Sequence, residues 1–194
     1  MITTDQVKAL RDKTGISVMQ CKRALEDSGG DMDKALQLLK TKGAEIASKK
    51  SDRALHSGII ASYVHGNNAV GAMVILMCET DFVARNEEFK ALAHDIAMHV
   101  TAMNPQFVSE KDITADDKER TRELFQKEVT ESGNPPEIQK KILEGKLNTY
   151  FKEQTLLDQL FIKDSDHTIQ DLLTGAIQKF GERIEIERFI RLNV

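Results

Sequence analysis

The ten residues from Ala69 to Cys78 are almost continuously apolar, ending in Val74-Ile75-Leu76-Met77-Cys78. The run is far too short to span a bilayer. With no polar face and several branched residues, it reads as a strand that must be covered on both sides. Just upstream, Ile59 to Val64 is again rich in branched residues, and Gly66-Asn67-Asn68 between the two offers the left-handed turn chemistry of a hairpin. Whatever else the chain does, it has to bury this hairpin.

The residues downstream supply the cover. Asn86 predicts a helix cap followed by Glu87 and Glu88, with Phe89, Leu92, Ala93, Ile96, Ala97 and Val100 on one face. After Asn104-Pro105 a charged helical stretch runs to Glu131. The breaker Ser132-Gly133-Asn134-Pro135-Pro136 follows, and then a helix carrying Ile138, Ile142, Leu147 and Phe151, which together make an αα-hairpin. Thr168 predicts the cap of a last helix with Ile169, Leu172, Leu173, Ala176, Ile177 and Phe180, closed by Gly181. In the closing strand, Ile184, Ile186, Ile190, Leu192 and Val194 are expected to share one face, apolar apart from Arg188. The fold class is therefore α+β, with a mostly antiparallel three-stranded sheet and a helical hairpin. Helices on one face of so small a sheet leave the other face open. Either the αα-hairpin folds back over it or a second copy packs sheet against sheet as an isologous dimer.

Ahead of the sheet, residues 1–42 read as three short helices. Thr3 or Thr4 caps the first, which turns Val7 and Leu10 inward and ends at Thr14-Gly15. Ser17 with Gln20 forms a capping box for the second, which carries Val18, Cys21, Ala24 and Leu25 and stops at Ser28-Gly29-Gly30. Asp31 starts the third, with Ala35, Leu36 and Leu39 inward and a glycine stop at Lys42-Gly43. None is long enough to fold singly; together they enclose a miniature core. From Ala44 to His56 the chain turns polar and loses its hydrophobic period, which reads as a linker of some helical tendency. The expected division is a three-helix domain plus linker at 1–55 and an α+β domain at 56–194.

Composition excludes several function classes. Residues 1–55 carry 11 Lys and Arg against 8 Asp and Glu, whereas the whole chain has a net charge of -4. A mildly basic front without a dense basic run interleaved with aromatics suits an acidic protein surface, and direct nucleic-acid binding is not expected. Met1 to Asp5 lack the basic and apolar regions of a signal peptide, so a cytoplasmic protein without a membrane role is expected. The two cysteines, Cys21 and Cys78, lie in apolar patterns as small buried hydrophobes, with no disulfide framework and no zinc spacing. Gly145-Lys146-Leu147 fails both the upstream glycine and the hydroxyl position of a phosphate loop. His94 and His99 are five apart and share no helix face suited to one metal. Cys78 with His65 and Asp81 is the one nucleophile arrangement the pattern permits, against the plainer reading of Cys78 as core. No cofactor, resident metal or covalent chemistry is expected.

One segment is of a different kind. Glu79-Thr80-Asp81-Phe82-Val83-Ala84-Arg85-Asn86 joins the most buried strand to a helix, where a loop is held by rigid elements and faces outward. Phe82 there is either a plug closing the core or a wedge for a partner's pocket, and composition alone favours the plug.

The same segment, preceded by Cys78, together with Val7-Lys8-Ala9-Leu10-Arg11, Thr14-Gly15, Cys21-Lys22-Arg23-Ala24-Leu25 and Gly30-Asp31, closely resembles the elongation factor Ts family. The resemblance extends through Phe151 onward to Gly181-Glu182-Arg183. It implies a ubiquitin-associated-like three-helix domain followed by the family's α+β dimerisation domain. It implies, too, a guanine-nucleotide exchange factor that binds GDP-bound and nucleotide-free elongation factor Tu in translation elongation. On that likeness Thr80, Asp81, Phe82 and Val83 dislodge the partner's magnesium ion so that GDP leaves and GTP can bind. Arg11, Val18 and Met19 meet the partner's nucleotide-binding domain. Longer members have two similar core halves where this chain has one, and a homodimer would supply the second. Two rival readings remain open on the residues: an adaptor working through the three helices alone, and a thiol enzyme built on Cys78.

Overall fold

The computed structural model describes residues 2–131 and 133–194. Three helices open the chain: α1 (Thr4–Thr14), α2 (Val18–Asp27) and α3 (Met32–Lys50). Thr3 and Gln6 form a full capping box on α1, and Gly15 ends it in the left-handed region at φ 66. At α2 only half of the expected box forms. The Gln20 N–H donates to Ser17 Oγ, while the Gln20 side chain turns away to the amide of Gln178. Val7, Leu10, Cys21, Ala24, Leu25, Ala35 and Leu39 make the small core the spacing called for; Ile16 joins them, Leu36 packs only at the edge and Val18 is excluded.

The third helix departs from expectation. Asp31 caps it, but it runs straight through Gly43 and takes in most of the stretch expected as linker. A Cβ at Gly43 would lie 3.0 Å from both Gln178 Oε1 and Thr174 Cγ2. The glycine is thus a point of close helix–helix approach rather than a stop.

The remainder comprises β1 (Ser57–Val64), β2 (Val70–Cys78), the single turn α4 (Asp81–Ala84), α5 (Glu87–Met103), α6 (Ala115–Glu131) and α7 (Pro136–Gln154). It closes with β3 (Leu160–Phe161), β4 (Asp164–Thr168), α8 (Ile169–Phe180) and β5 (Ile184–Asn193). The sheet order is β1-β2-β5, antiparallel throughout, with the apolar run at its centre. The architecture is the expected mixture of helices and a three-stranded sheet. The β3–β4 ribbon was not foreseen; Asp164-Ser165-Asp166-His167 has no apolar period to reveal it. At the breaker, Gly133 has φ 70 and Pro136 opens α7, while Ser132 lies outside the described residues.

Helices α5 and α8 cover one face of the sheet, where Phe89, Ile96, Val100, Ile169 and Leu173 pack with Val74, Leu76 and Cys78. The αα-hairpin of α6 and α7 builds a separate cluster around Val129, Leu143 and Leu147. It does not fold back over the sheet, whose other face exposes Ile60, Val64, Met73, Ile190 and Leu192.

The closing strand corrects the reading of a single apolar face. Its register against β2 shifts between Ile75 and Leu76, so that Ile186 pairs with Leu76 and Arg188 with Ile75, leaving Glu187 as a bulge. Before the bulge, Ile184 and Ile186 are buried beneath the helices. Beyond it, Phe189 and Arg191 take over the helix side and Ile190 and Leu192 swing to the open face. The Arg191 guanidinium donates to the Thr101 carbonyl of α5. Strict alternation assumed an unbroken strand, and one extra residue inverts it. Among the described residues no helix is long and apolar enough to cross a membrane.

Candidate functional site

The most buried strand delivers the chain to its most exposed aromatic. Cys78 is fully buried at the end of β2, and four residues later Phe82 is 87% exposed. The plug that composition favoured exists, displaced by one residue: Val83, 8% exposed, and Ala84 enter the core while Phe82 points away from it. Asp81 and Phe82 share a single helical turn, with Asp81 Oδ2 2.9 Å from the Arg85 guanidinium in a solvated pair. Asn86 then caps α5 by accepting the Glu88 N–H at 2.8 Å.

Two carboxylates from distant parts of the chain hold the base of this turn. Glu182, in the connection from α8 to β5, accepts the N–H groups of Glu79 and Thr80 on one oxygen at 3.1 and 3.0 Å. Its other oxygen accepts the Thr80 hydroxyl at 2.6 Å. Glu79 reciprocates by accepting the Arg183 N–H at 2.6 Å and the Arg53 guanidinium at 3.1 Å. Burial alone would raise the Glu79 carboxyl. The Arg183 N–H, the Arg53 guanidinium and the charge of Lys50 outweigh it and hold the group below the ordinary range. Arg183 also donates to the Arg53 carbonyl, and Lys50 donates to the Gly181 carbonyl. The polar stretch read as linker therefore fastens the front module to the loop. Nothing in local periodicity marks these contacts, because they join residues from 26 to 131 positions apart.

Arg11, Val18 and Met19 lie on the outer surface of the three-helix module, with Val18 48% and Met19 73% exposed. They and the Phe82 loop belong to different modules, and α8 touches both. Lys179 of α8 lies against the α1–α2 corner at Gly15 and pairs with Glu88 at 2.7 Å in the first turn of α5. Lys40 of α3 pairs with Asp171 of α8 at 3.7 Å.

The thiol arrangement that the sequence permitted is not assembled. Cys78 pairs with Ser57 at one end of the hairpin, whereas Val64, next to His65, pairs with Gly71. At about 3.3 Å per residue that is about 23 Å of strand. Burial, followed by the charge of Glu182, pushes the Cys78 thiol up, and its sulfur donates to the Thr80 carbonyl at 3.2 Å. It behaves as a packing group. Among the described residues no group of three or more His, Cys, Asp or Glu is placed to hold a metal ion.

Comparison with known proteins gives one consistent result. The family model described as elongation factor TS matches residues 23–194. An elongation factor Ts of Thermodesulfovibrio yellowstonii is 48% identical over 100% of this chain and 96% of its own length. That of Thermosipho melanesiensis is 45% identical over 100% and 99%. The corresponding protein of Carboxydothermus hydrogenoformans is 44% identical over 100% of this chain and 89% of its own.

Proposed function

The chain belongs to the elongation factor Ts family, and from that premise we propose that it promotes guanine-nucleotide exchange on elongation factor Tu by inserting the Asp81-Phe82 turn beside the partner's magnesium site. The observation that carries this reading is the exposure of Phe82 at 87% on a turn anchored on both sides. A free aromatic of that size has apolar area to bury, about 1.5–3 kcal/mol in a pocket, enough to hold a partner element in a shifted position. Asp81 brings an acid to the same place. Displacing a cation that bridges protein and phosphates removes the largest local charge holding the nucleotide, so GDP loosens. Thr80 and Val83 serve the turn from its ends, the first through Glu182 and the second by burial in the core.

The three-helix module, with Arg11, Val18 and Met19 outward, is the second contact and sits against the partner's nucleotide-binding domain. Coupling is reciprocal: GDP must weaken this chain's hold on elongation factor Tu by the factor by which the chain weakens GDP's. No bond is made or broken, and the chain acts where translation runs, in the cytoplasm. The single core unit is completed by a second copy, packed through the open sheet face that the αα-hairpin leaves free.

Release of a fluorescent GDP analogue from elongation factor Tu tests this. Saturating protein is expected to accelerate release, and Phe82→Ala to lower the saturated rate by about tenfold or more, the loss of one buried aromatic contact made in the transition state. Release that is unchanged at saturation sinks the exchange reading; acceleration that survives Phe82→Ala sinks the wedge.

A further inference from the structure

Phe82 has little to hold its own side chain, so its aim is set by the backbone beneath it. That backbone stands just past the end of the β2–β5 ladder, whose last pair is Cys78 with Ile184. Beyond that pair the two chains would part, leaving the N–H groups of Glu79 and Thr80 to solvent. Instead Glu182 crosses from the β5 side and takes both, together with the Thr80 hydroxyl. Glu79 crosses back to take the Arg183 N–H. The side chains thus extend the ladder by two residues, and the one-turn helix with Phe82 rises from its rigid end. The Thr80 hydroxyl is spent on this contact and makes no cap bond to the α4 N-terminus that follows it. Capping would satisfy the turn itself, whereas this bond fixes the turn relative to the sheet. A charged acceptor taking three donors is among the stronger hydrogen-bonding arrangements available to a partly exposed loop.

Resting on the exchange reading above, we propose that Glu182 is a positioning residue for that reaction. It never meets the partner's ion or nucleotide, and it holds the Thr80 end of the Asp81-Phe82 turn in the geometry needed for insertion. An exposed group that must enter a pocket loses less entropy on docking if its backbone is already fixed, and a small misplacement costs much of the effect. The contribution of Glu182 therefore passes through Phe82.

The test is a double-mutant cycle on saturated GDP release, with thermal unfolding measured on every variant. Glu182→Ala is expected to lower the saturated rate about tenfold while moving the half-saturating concentration about threefold or less, because the three-helix module still docks. Glu182→Gln keeps a carbonyl oxygen for the two N–H groups and is expected to retain the rate within about threefold. In a Phe82→Ala background neither change is expected to lower the rate further, since residues acting as a unit do not add. If Glu182→Ala does not fold, Glu182→Asp replaces it. The shortened acid keeps the charge but not the reach, and it is expected to show the same non-additivity with Phe82→Ala.

If Phe82→Ala lowers the rate but removing the Glu182 contacts leaves it unchanged, or lowers it by the same factor with and without Phe82, the positioning role is overturned and the exchange reading stands. If Phe82→Ala itself changes nothing, the wedge reading falls and this inference falls with it.

Discussion

His99 is the one histidine wholly enclosed by the fold. Its Nε2 lies 2.9 Å from Gln159 Oε1, and its Nδ1 accepts the Ile162 N–H at 3.3 Å. An acceptor at Nδ1 and a donor at Nε2 describe the neutral ring, and a second proton would break the Ile162 contact. Burial lowers its proton affinity, and the Gln159 bond opposes this only in part. The unfolded chain therefore takes a proton from about pH 6.5 downward while the folded chain does not. This stability is fully present above that pH and is lost as pH falls toward the depressed folded value. Denaturant unfolding is expected to show stability falling as pH drops below about 6.5, with a shallower slope in His99→Gln than in the parent. Equal slopes would assign the acid loss to other groups. At this scale the sequence placed the loop correctly and left one side chain ambiguous. Both Phe82 and Val83 are apolar and adjacent on a turn of four residues, where no period exists to say which is inside. The fold resolves it by giving the smaller, branched Val83 to the core.

At the scale of elements, the departures come from tertiary contact overriding local signals. Gly43 follows Lys42 at a place where a helix stop is the default reading. Packing of α3 on α8 carries the helix onward, and the glycine becomes the gap through which Thr174 and Gln178 approach. Gly43→Ala gains about 1 kcal/mol of helix propensity against contacts at 3.0 Å, of which the Gln178 end is free to swing aside while the stiff Thr174 methyl must give by a few tenths of an ångström. Gly43→Leu has no such room. It is expected to lower stability by about 1–3 kcal/mol, the usual range for overpacking, and to speed proteolysis between residues 44 and 56. Resistance equal to the parent's would mean that the α3–α8 contact contributes nothing to the order of that segment. Glu187 is the second departure. A bulge leaves no mark in composition, and the alternation on either side of it looks continuous until the partner strand is known. Capped and strongly periodic elements such as α5 and α8 were legible for the opposite reason, since their caps and apolar faces agree with the fold that uses them.

For the whole molecule, the bulge decides what the sheet presents to solvent. By moving Ile190 and Leu192 to the open side, it aligns them with Met73 and Gly71 of β2, next to Ile60 and Val64 of β1. A shallow groove between Ile60, Met73, Ile75, Arg188 and Ile190 runs across this face. Nothing among the described residues covers it. A sheet with one face packed by α5 and α8 and the other apolar resembles half of a sandwich, which an isologous partner would complete without a new sequence. If so, unfolding is linked to dissociation, and each tenfold rise in concentration adds about 1.4 kcal/mol to the apparent stability of the dimer. The melting temperature is then expected to rise with concentration, and light scattering to give twice the chain mass. Ile190→Asp puts a charge on the open face and leaves the helix-covered core untouched. It is expected to give a monomer whose melting temperature no longer depends on concentration. A parent chain that scatters as a monomer and melts at one temperature across that range would show that the open face is covered by something other than a second copy.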